Sequence, residues 1–294
     1  MMNLMNGIYK TGYGIRKNGL RPISRLGKWI IRRGLPMLPS WLDRQQLCFE
    51  DLLISYSLKH HMYPNIYQLY TGEYEPFTMK LFRDSIESGM TVLDIGAHIG
   101  IYSLLAAAQM SSGGQVLAFE PDPRNLAFLE ENVKINGFTD LIRIVPKAVC
   151  ETEKKALLYL SQHTGLNSLI HSSNPRPKAL EIDAISMDSF LDKIISIDVI
   201  KMDIEGAEIY ALQGMQRTLE RTNANLKLFL ELNPGSLQQA GCSVEAFFSK
   251  LREFKLEIQI IDETNRQLIA VDTNADQQQD LFRKGYANLY CTRK

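Results

Sequence analysis

Cysteine is scarce in this 294-residue sequence and never clustered: Cys48, Cys150, Cys242 and Cys291 stand alone, so there is no CxxC pair, zinc-ligand spacing or disulfide framework. Long hydrophobic runs are missing as well. No apolar stretch approaches the roughly 18 to 20 residues that span a bilayer, and Trp29-Ile30-Ile31, the longest near the start, is too short for a signal-peptide core. These absences disfavour a secreted or membrane-spanning protein and make a reducing cytoplasm the expected compartment. Low-complexity sequence is confined to Gln277-Gln278-Gln279, and no internal repeat is present.

What is there belongs to a soluble globular protein: 45% hydrophobic and 22% charged residues, with 19 Gly and 11 Pro, exclude disordered, collagen-like and fibrous classes. A chain of this size buries roughly three quarters of its unfolded surface, so it needs no disulfide or structural metal to be stable. Its net charge of zero hides an asymmetry. Residues 1–44 hold nine basic residues and one acid, Asp43, leaving 24 basic and 32 acidic residues in the remainder. Such a split gives the first segment its own job or its own anionic partner.

Residues 1–44 read as a basic arm, because Pro36 and Pro39 break any helix begun near Arg25. Arg25, Lys28 and Arg32 recur at helical spacing beside Leu26, Trp29 and Ile30, a pattern suited to peripheral contact with an anionic membrane. Nucleic acid is the rival anion and is not favoured; packing of the arm onto the acidic remainder is the alternative. Residues 45–87 read as a helical, aromatic collar. Leu47, Leu52, Leu53 and Tyr56, then Met79, Leu81, Phe82 and Ile86, have helix-like spacing around a turn-rich piece carrying Tyr63, Tyr67, Tyr70, Tyr74 and Phe77. The aromatics are expected to pack the collar onto the core or to line a pocket.

Residues 88–294 change grammar. Short continuous apolar runs at 91–95, 115–120, 141–149, 199–203, 226–232, 256–261 and 286–291 alternate with helical periodicity at 101–109, 123–136, 207–220 and 243–254. That alternation predicts an α/β domain with an open, mostly parallel seven-stranded sheet and helices on both faces. Segments 156–160 and 179–186 are expected to add an antiparallel pair beside the third strand.

The strongest local signal is Val92-Leu93-Asp94-Ile95-Gly96-Ala97-His98-Ile99-Gly100, a strand running into a glycine turn and a helix. Ligands of open α/β sheets bind at strand carboxyl ends. The pyrophosphate fingerprint G-x-G-x-x-G is incomplete, and Asp94 at the strand end suits a ligand carrying an ammonium group instead. The next strand ends Phe119-Glu120-Pro121-Asp122; Glu120 can accept hydrogen bonds from vicinal ribose hydroxyls, while Asp122 before Pro123 reads equally as a helix N-cap.

D-x-G-x-x-x-G followed by a strand ending E-P-D resembles the cofactor half of class I S-adenosylmethionine-dependent methyltransferases. Ile200-Lys201-Met202-Asp203-Ile204-Glu205-Gly206-Ala207-Glu208 and Leu230-Glu231-Leu232-Asn233-Pro234 are similar to the K-x-D-x-E-G-x-E and L-E-x-N-P signatures of the FkbM family. Gly72-Glu73-Tyr74-Glu75-Pro76 and Asn167-Ser168-Leu169 extend the resemblance over about residues 67–262. It implies a Rossmann-like class I methyltransferase fold and an S-adenosylmethionine site formed by Glu75, Asp94, Gly96, Ala97, His98, Gly100, Glu120, Pro121, Asn167, Ser168 and Asp203. His98 stands where the family more often has Asn.

Asp203 ends a buried run and Glu231 interrupts another, and buried carboxylates are costly unless partnered or needed. Asp203, Glu205 and Glu231 are therefore the candidate catalytic residues, able to take the proton of an alcohol acceptor or to hold a cation that lowers its pKa. Mg²⁺ would suit these oxygen ligands but has no dedicated signature here and is not favoured. Glu208 is expected in the first turn of the following helix. His60, His61, His163 and His171 read as ordinary solvated residues. The expected activity is O-methylation of a sugar, glycolipid or secondary metabolite, with the acceptor small or lipid-linked. N-methylation of protein or nucleic acid is an alternative, for which Asn233-Pro234-Gly235-Ser236 gives only half of the usual motif. The other alternative, a cofactor-binding interaction module without catalysis, sits poorly with intact Asp94, Gly96, Glu120, Asp203 and Glu231.

Overall fold

The structure is a computed structural model; it describes residues 43–61, 63–110, 113–161, 164–171, 178–191, 196–222, 225–271 and 285–293. The basic arm, apart from Asp43 and Arg44, His163 and the Gln277 stretch lie outside them.

A hairpin opens the described chain, with β1 (Arg44–Phe49) antiparallel to β2 (Leu52–Ser57). This corrects the helical expectation for Leu47 to Tyr56. The apolar side chains there follow period two, with Leu47 and Phe49 buried and Cys48 exposed. Glu50 and Asp51, with φ of 47° and 67°, make the tight turn in a conformation usually advertised by Asn-Gly. Two helices complete the collar, α1 (Tyr63–Thr71) and α2 (Pro76–Asp84).

Then come β3 (Thr91–Ile95), α3 (Ile101–Gln109), β4 (Gln115–Phe119), α4 (Pro123–Ile135) and β5 (Ile142–Val145). β6 (Ala148–Val149), β7 (Lys154–Leu160) and β8 (Lys178–Ile185) form a separate three-stranded sheet in which β7 and β8 are antiparallel, so the run 141–149 is split between two sheets around Pro146. After α5 (Met187–Phe190) follow β9 (Val199–Met202), α6 (Glu208–Gln213) and α7 (Gln216–Arg221). One long helix was expected where α6 and α7 stand. The break falls at Gly214, where a Cβ would lie 2.0 Å from the Cys150 carbonyl oxygen, so the chain is pinched against the smaller sheet. β10 (Lys227–Leu232), α8 (Pro234–Gln239), α9 (Val244–Glu253), β11 (Leu256–Asp262), β12 (Gln267–Ala270) and β13 (Ala287–Arg293) end the chain.

The large sheet runs β12-β11-β13-β10-β9-β3-β4-β5. The seven expected strands are all in it, and β12 adds an eighth at one edge. β10, β9, β3, β4 and β5 are parallel, whereas β13 runs antiparallel between β10 and β11. Side chains alternate faces along a strand. Leu93, Ile95, Leu117, Phe119, Ile200 and Met202 therefore build one core with α6, α7 and α9, while Val92, Val116, Ala118, Val199 and Phe229 build the other with α2, α3, α4 and the hairpin.

Register sets up the site. Phe119, Ile95, Met202 and Leu230 lie level across four neighbouring strands. Each next residue, Glu120, Gly96, Asp203 and Glu231, therefore emerges in one row at the carboxyl edge. On the following strand Asn288 is paired with Glu231.

Candidate functional site

The row opens into a cavity of about 1200 Å³, walled by the collar, the strand ends, the 164–169 loop and the β11–β13 edge. This exceeds the roughly 300 to 1,000 Å³ of most small-molecule sites. All the residues predicted for the site line it except Gly100, which caps α3 behind it.

Backbone constraints shape its floor. The N–H groups of Gly96 and Ala97 both donate to the Phe119 carbonyl at 2.9 Å, tying the turn after β3 to β4. Gly96 has φ +86°, and a Cβ there would lie 2.0 Å from the Asp203 carbonyl oxygen, so only glycine lets this turn meet the end of β9. Gly100, with φ +95°, leaves room for Leu129 of α4.

Glu120 is held by backbone and amide donors. Its Oε2 accepts from the His98 N–H at 2.9 Å, and its Oε1 from the Asp122 N–H at 2.8 Å and Asn125 Nδ2 at 3.2 Å. Burial outweighs these bonds and pushes its pKa up to about 8. Asp122 takes the structural role foreseen for it: it caps α4 by accepting from the Arg124 N–H at 2.8 Å. It also accepts from Asn167 Nδ2 at 2.6 Å, while Ser168 Oγ donates to the Glu205 carbonyl at 2.6 Å. The Asn167-Ser168 loop is thus pinned across the mouth at two points. A third pin is the 2.9 Å hydrogen bond between His98 Nε2 and Thr164 Oγ1. The His98 ring is thereby engaged with the loop, and burial holds its pKa down to about 4, leaving it neutral.

Beside this lies an acidic wall. Asp94 accepts from Ser103 Oγ at 2.6 Å, and burial raises its pKa to about 6. Glu75, at φ 41°, accepts from Tyr102 Oη at 2.6 Å and from Asn288 Nδ2 at 2.8 Å. Asp203, Glu205 and Glu231 bring carboxylate oxygens within 4.8 Å of one another. Burial, then the charge of Asp203, pushes Glu205 up to about 8 and raises Glu231 well above the carboxylate range. Such a group of oxygens could hold a hard cation or accept a proton.

One residue that sequence reasoning passed over sits at the centre. Lys201 is 2% exposed, with Nζ 3.4 Å from Asp203 Oδ2 and 4.9 Å from the Tyr102 ring centroid. Burial would lower its pKa, but Asp203, Glu75, Glu231 and Asp94 outweigh burial and keep it charged. The signal was available: a lysine inside the apolar run Val199-Ile200-Lys201-Met202 must be paired or neutral. Tyr102, Thr164 and Asn288 carried no such signal, since each acts through neighbours distant in sequence, and Ser103 and Asn125 reach acids nine and five residues before them from within α3 and α4.

Other expectations resolve locally. Glu208 is the first residue of α6, and its Oε1 accepts from the Ile204 N–H at 3.1 Å. Asn233 caps α8 by accepting from the Ser236 N–H at 3.1 Å, which accounts structurally for its Asn-Pro pair. Tyr70 is exposed, whereas Tyr74 lines the cavity and Phe77 packs against the collar core; the side chains of Tyr63 and Tyr67 lie outside the described residues. His171 is exposed as expected. His61 is not: it is buried, because the turn after β2 folds its ring between Phe128 and His98.

Acids at neighbouring strand ends, Asp94 and Glu120, and a cluster of carboxylates around one cavity accompany the fold of a class I S-adenosylmethionine-dependent methyltransferase. The model of the methyltransferase FkbM domain matches residues 94–265. The chain belongs to the FkbM methyltransferase family. Among solved structures it is similar to methyltransferase FkbM from Methylobacillus flagellatus KT, at 16% identity over 79% of this chain and 56% of that one, with a TM-score of 0.45. It is also similar to precorrin-6y C5,15-methyltransferase from Geobacter metallireducens GS-15, at 12% identity over 80% and 94% of the two chains, TM-score 0.44. A third is ribosomal protein L11 methylase from Lactobacillus delbrueckii subsp. bulgaricus, at 15% identity over 76% and 79%, TM-score 0.40. No curated protein matches the chain. Among the described residues no helix is long and apolar enough to cross a membrane.

Proposed function

We propose that the chain methylates a hydroxyl group of a sugar, a glycolipid or a secondary metabolite. The observation that carries this reading is the convergence of Asp203, Glu205 and Glu231 in a cavity large enough for cofactor and acceptor together. Nine carboxylic acids and two lysines, Lys147 and Lys201, line that cavity. Such a wall accepts hydrogen bonds from a neutral or cationic polyol and repels phosphate or carboxylate, which disfavours nucleic acid as the acceptor.

The residues fit the cofactor. Glu120 retains acceptor lone pairs for ribose hydroxyls beside its three donors, Asp94 and Glu75 offer negative charge to an ammonium, and Gly96 and Ala97 keep the turn free of bulk. Pro121, Asn167 and Ser168 close the wall around them. When bound, S-adenosylmethionine supplies a methyl group activated on a sulfonium. The protein then has to align the acceptor oxygen with that methyl and remove its proton. The proximity of Asp203, Glu205 and Glu231 to one another, with Lys201 beside Asp203, supports assigning that proton to this cluster.

The test is transfer of isotopically labelled methyl from S-adenosylmethionine to a panel of neutral polyols, amino sugars, amines and nucleic acid, with the product located by NMR. Label on a sugar or polyol oxygen is expected. Label on nitrogen alone, or on nucleic acid, overturns the reading.

A further inference from the structure

His61 belongs to the collar, yet it is wired to the wall of the cofactor site. Its Nδ1 accepts from the Ser57 N–H at 2.7 Å. A ring nitrogen that accepts carries no hydrogen, so the proton of the neutral imidazole sits on Nε2, which becomes a donor. That Nε2 is buried without a partner of standard geometry, and so is Asn125 Oδ1. The two are complementary, and Asn125 is the one neighbour whose side chain favours a proton on this ring. At its other end the same amide donates Nδ2 to Glu120 Oε1 at 3.2 Å. The His61 ring also meets the His98 ring edge-on, 5.0 Å between centroids, and the His98 N–H donates to Glu120 Oε2 at 2.9 Å. Both oxygens of Glu120 are therefore reached from His61 through a single intermediary.

We propose that His61 is a positioning residue for the ribose of the cofactor. Its Nε2–H fixes the Asn125 amide in the one orientation that keeps Nδ2 on Glu120; the reverse orientation would set Oδ1 against Glu120 Oε1, which already accepts from the Asp122 N–H, and would set the Nδ2 donor against the ring's Nε2–H. The Arg44–Ser57 hairpin, which delivers the Ser57 N–H, thereby becomes part of the cofactor site. This rests on Glu120 as the ribose acceptor.

Calorimetric titration with S-adenosylhomocysteine and with its 2′,3′-dideoxy analogue tests it. His61→Phe keeps the ring packing and loses both nitrogens. It is expected to weaken S-adenosylhomocysteine about tenfold, the size of one hydrogen bond, and to leave binding of the analogue unchanged. Asn125→Ala, which cuts the same link from the other side, should show the same selectivity and serves if His61→Phe fails to fold. Glu120→Gln should show it more strongly, and adding His61→Phe to Glu120→Gln should cost nothing further. Equal weakening of both ligands by His61→Phe and Asn125→Ala, no weakening of either, or additive losses in the double variant would overturn the role of His61. If Glu120→Gln itself fails to discriminate the two ligands, the ribose reading falls and the role of His61 with it. If only Glu120→Gln discriminates, the ribose reading stands alone.

Discussion

Asp94 and Lys201 face each other across β3 and β9 as register partners, yet each is held by something else: Asp94 by the Ser103 hydroxyl at 2.6 Å, Lys201 by Asp203 at 3.4 Å. One buried ammonium thus serves four acids at once. Removing one partner of a buried charge set leaves the others uncompensated, at about 3 to 5 kcal/mol. Lys201→Met is therefore expected to destabilise the protein by about that amount at pH 8 and by clearly less at pH 5.5, where Asp94 and Glu231, whose pKa values burial raises, are protonated. Urea unfolding at the two pH values measures it; a loss independent of pH would mean that packing, not charge, is what Lys201 contributes.

Cofactor binding is expected to depend on the strand-end acids. Glu120→Gln should weaken S-adenosylhomocysteine by about ten- to a hundredfold, the range for one or two hydrogen bonds, with the melting temperature unchanged or raised because a buried carboxyl is removed. Asp94→Ala should weaken binding too, and more than Asp94→Asn, which can still accept from Ser103. Calorimetry on the folded variants decides; unchanged binding in Glu120→Gln and Asp94→Ala would remove these residues from the site.

Much of this was legible in the sequence because the large sheet is made of continuous apolar runs whose last residues are the functional ones. Glu120, Asp203 and Glu231 follow or interrupt such runs near their carboxyl ends, and parallel register brings them into one row with Gly96, two residues beyond Asp94. The hairpin was hidden because Glu50-Asp51 is an unusual pair for its turn and because, among the described residues, the open edge of β2 has no strand beside it. Its backbone pairs instead with two side chains one turn apart, on α4 and at its C-cap: Asn132 accepts from the Ser55 N–H and donates to its carbonyl, and Asn136 does the same for Leu53. Contacts across 77 and 83 residues leave no local pattern. His61 was unreadable for the same reason, its partners lying on three different elements.

For the chemical step, Asp203→Asn and Glu231→Gln should retain S-adenosylhomocysteine binding within a few-fold while lowering methyl transfer by about a hundred- to ten-thousandfold for whichever carries the base. Wild-type rates in both would make the acids structural. A rate lost on adding EDTA and restored by Mg²⁺ would assign them to a metal instead.

The basic arm has a separate test. If residues 1–44 bring the enzyme to a lipid-linked acceptor, the full chain should sediment with anionic vesicles in a salt-sensitive manner, and a chain beginning at Gln45 should not. Equal sedimentation of the two would remove the arm from acceptor delivery without touching the methyltransferase assignment.

Stability should fall as pH rises through neutrality, the reverse of proteins whose carboxylates are salt-bridged. Burial lifts Glu120 and Glu205 from 4.5 to about 8 and Glu208 from 4.5 to about 7. Between those limits the folded chain keeps protons that the unfolded chain has lost, so each step upward in pH favours unfolding, by at most about 1.4 kcal/mol per pH unit for each proton retained. His61 and His98 act in the opposite direction: burial lowers them from 6.5 to about 2 and about 4, so they add stability as pH rises toward 6.5 and nothing beyond. The clean window is therefore pH 6.5 to 8. There the melting temperature of the protein without ligand is expected to decline, and Glu205→Gln, whose amide does not titrate, should show a shallower decline than the wild type. A melting temperature that rises across that window, or a Glu205→Gln curve parallel to the wild type, would show that these carboxyls are already ionised in the fold, with the charge neutralised from elsewhere.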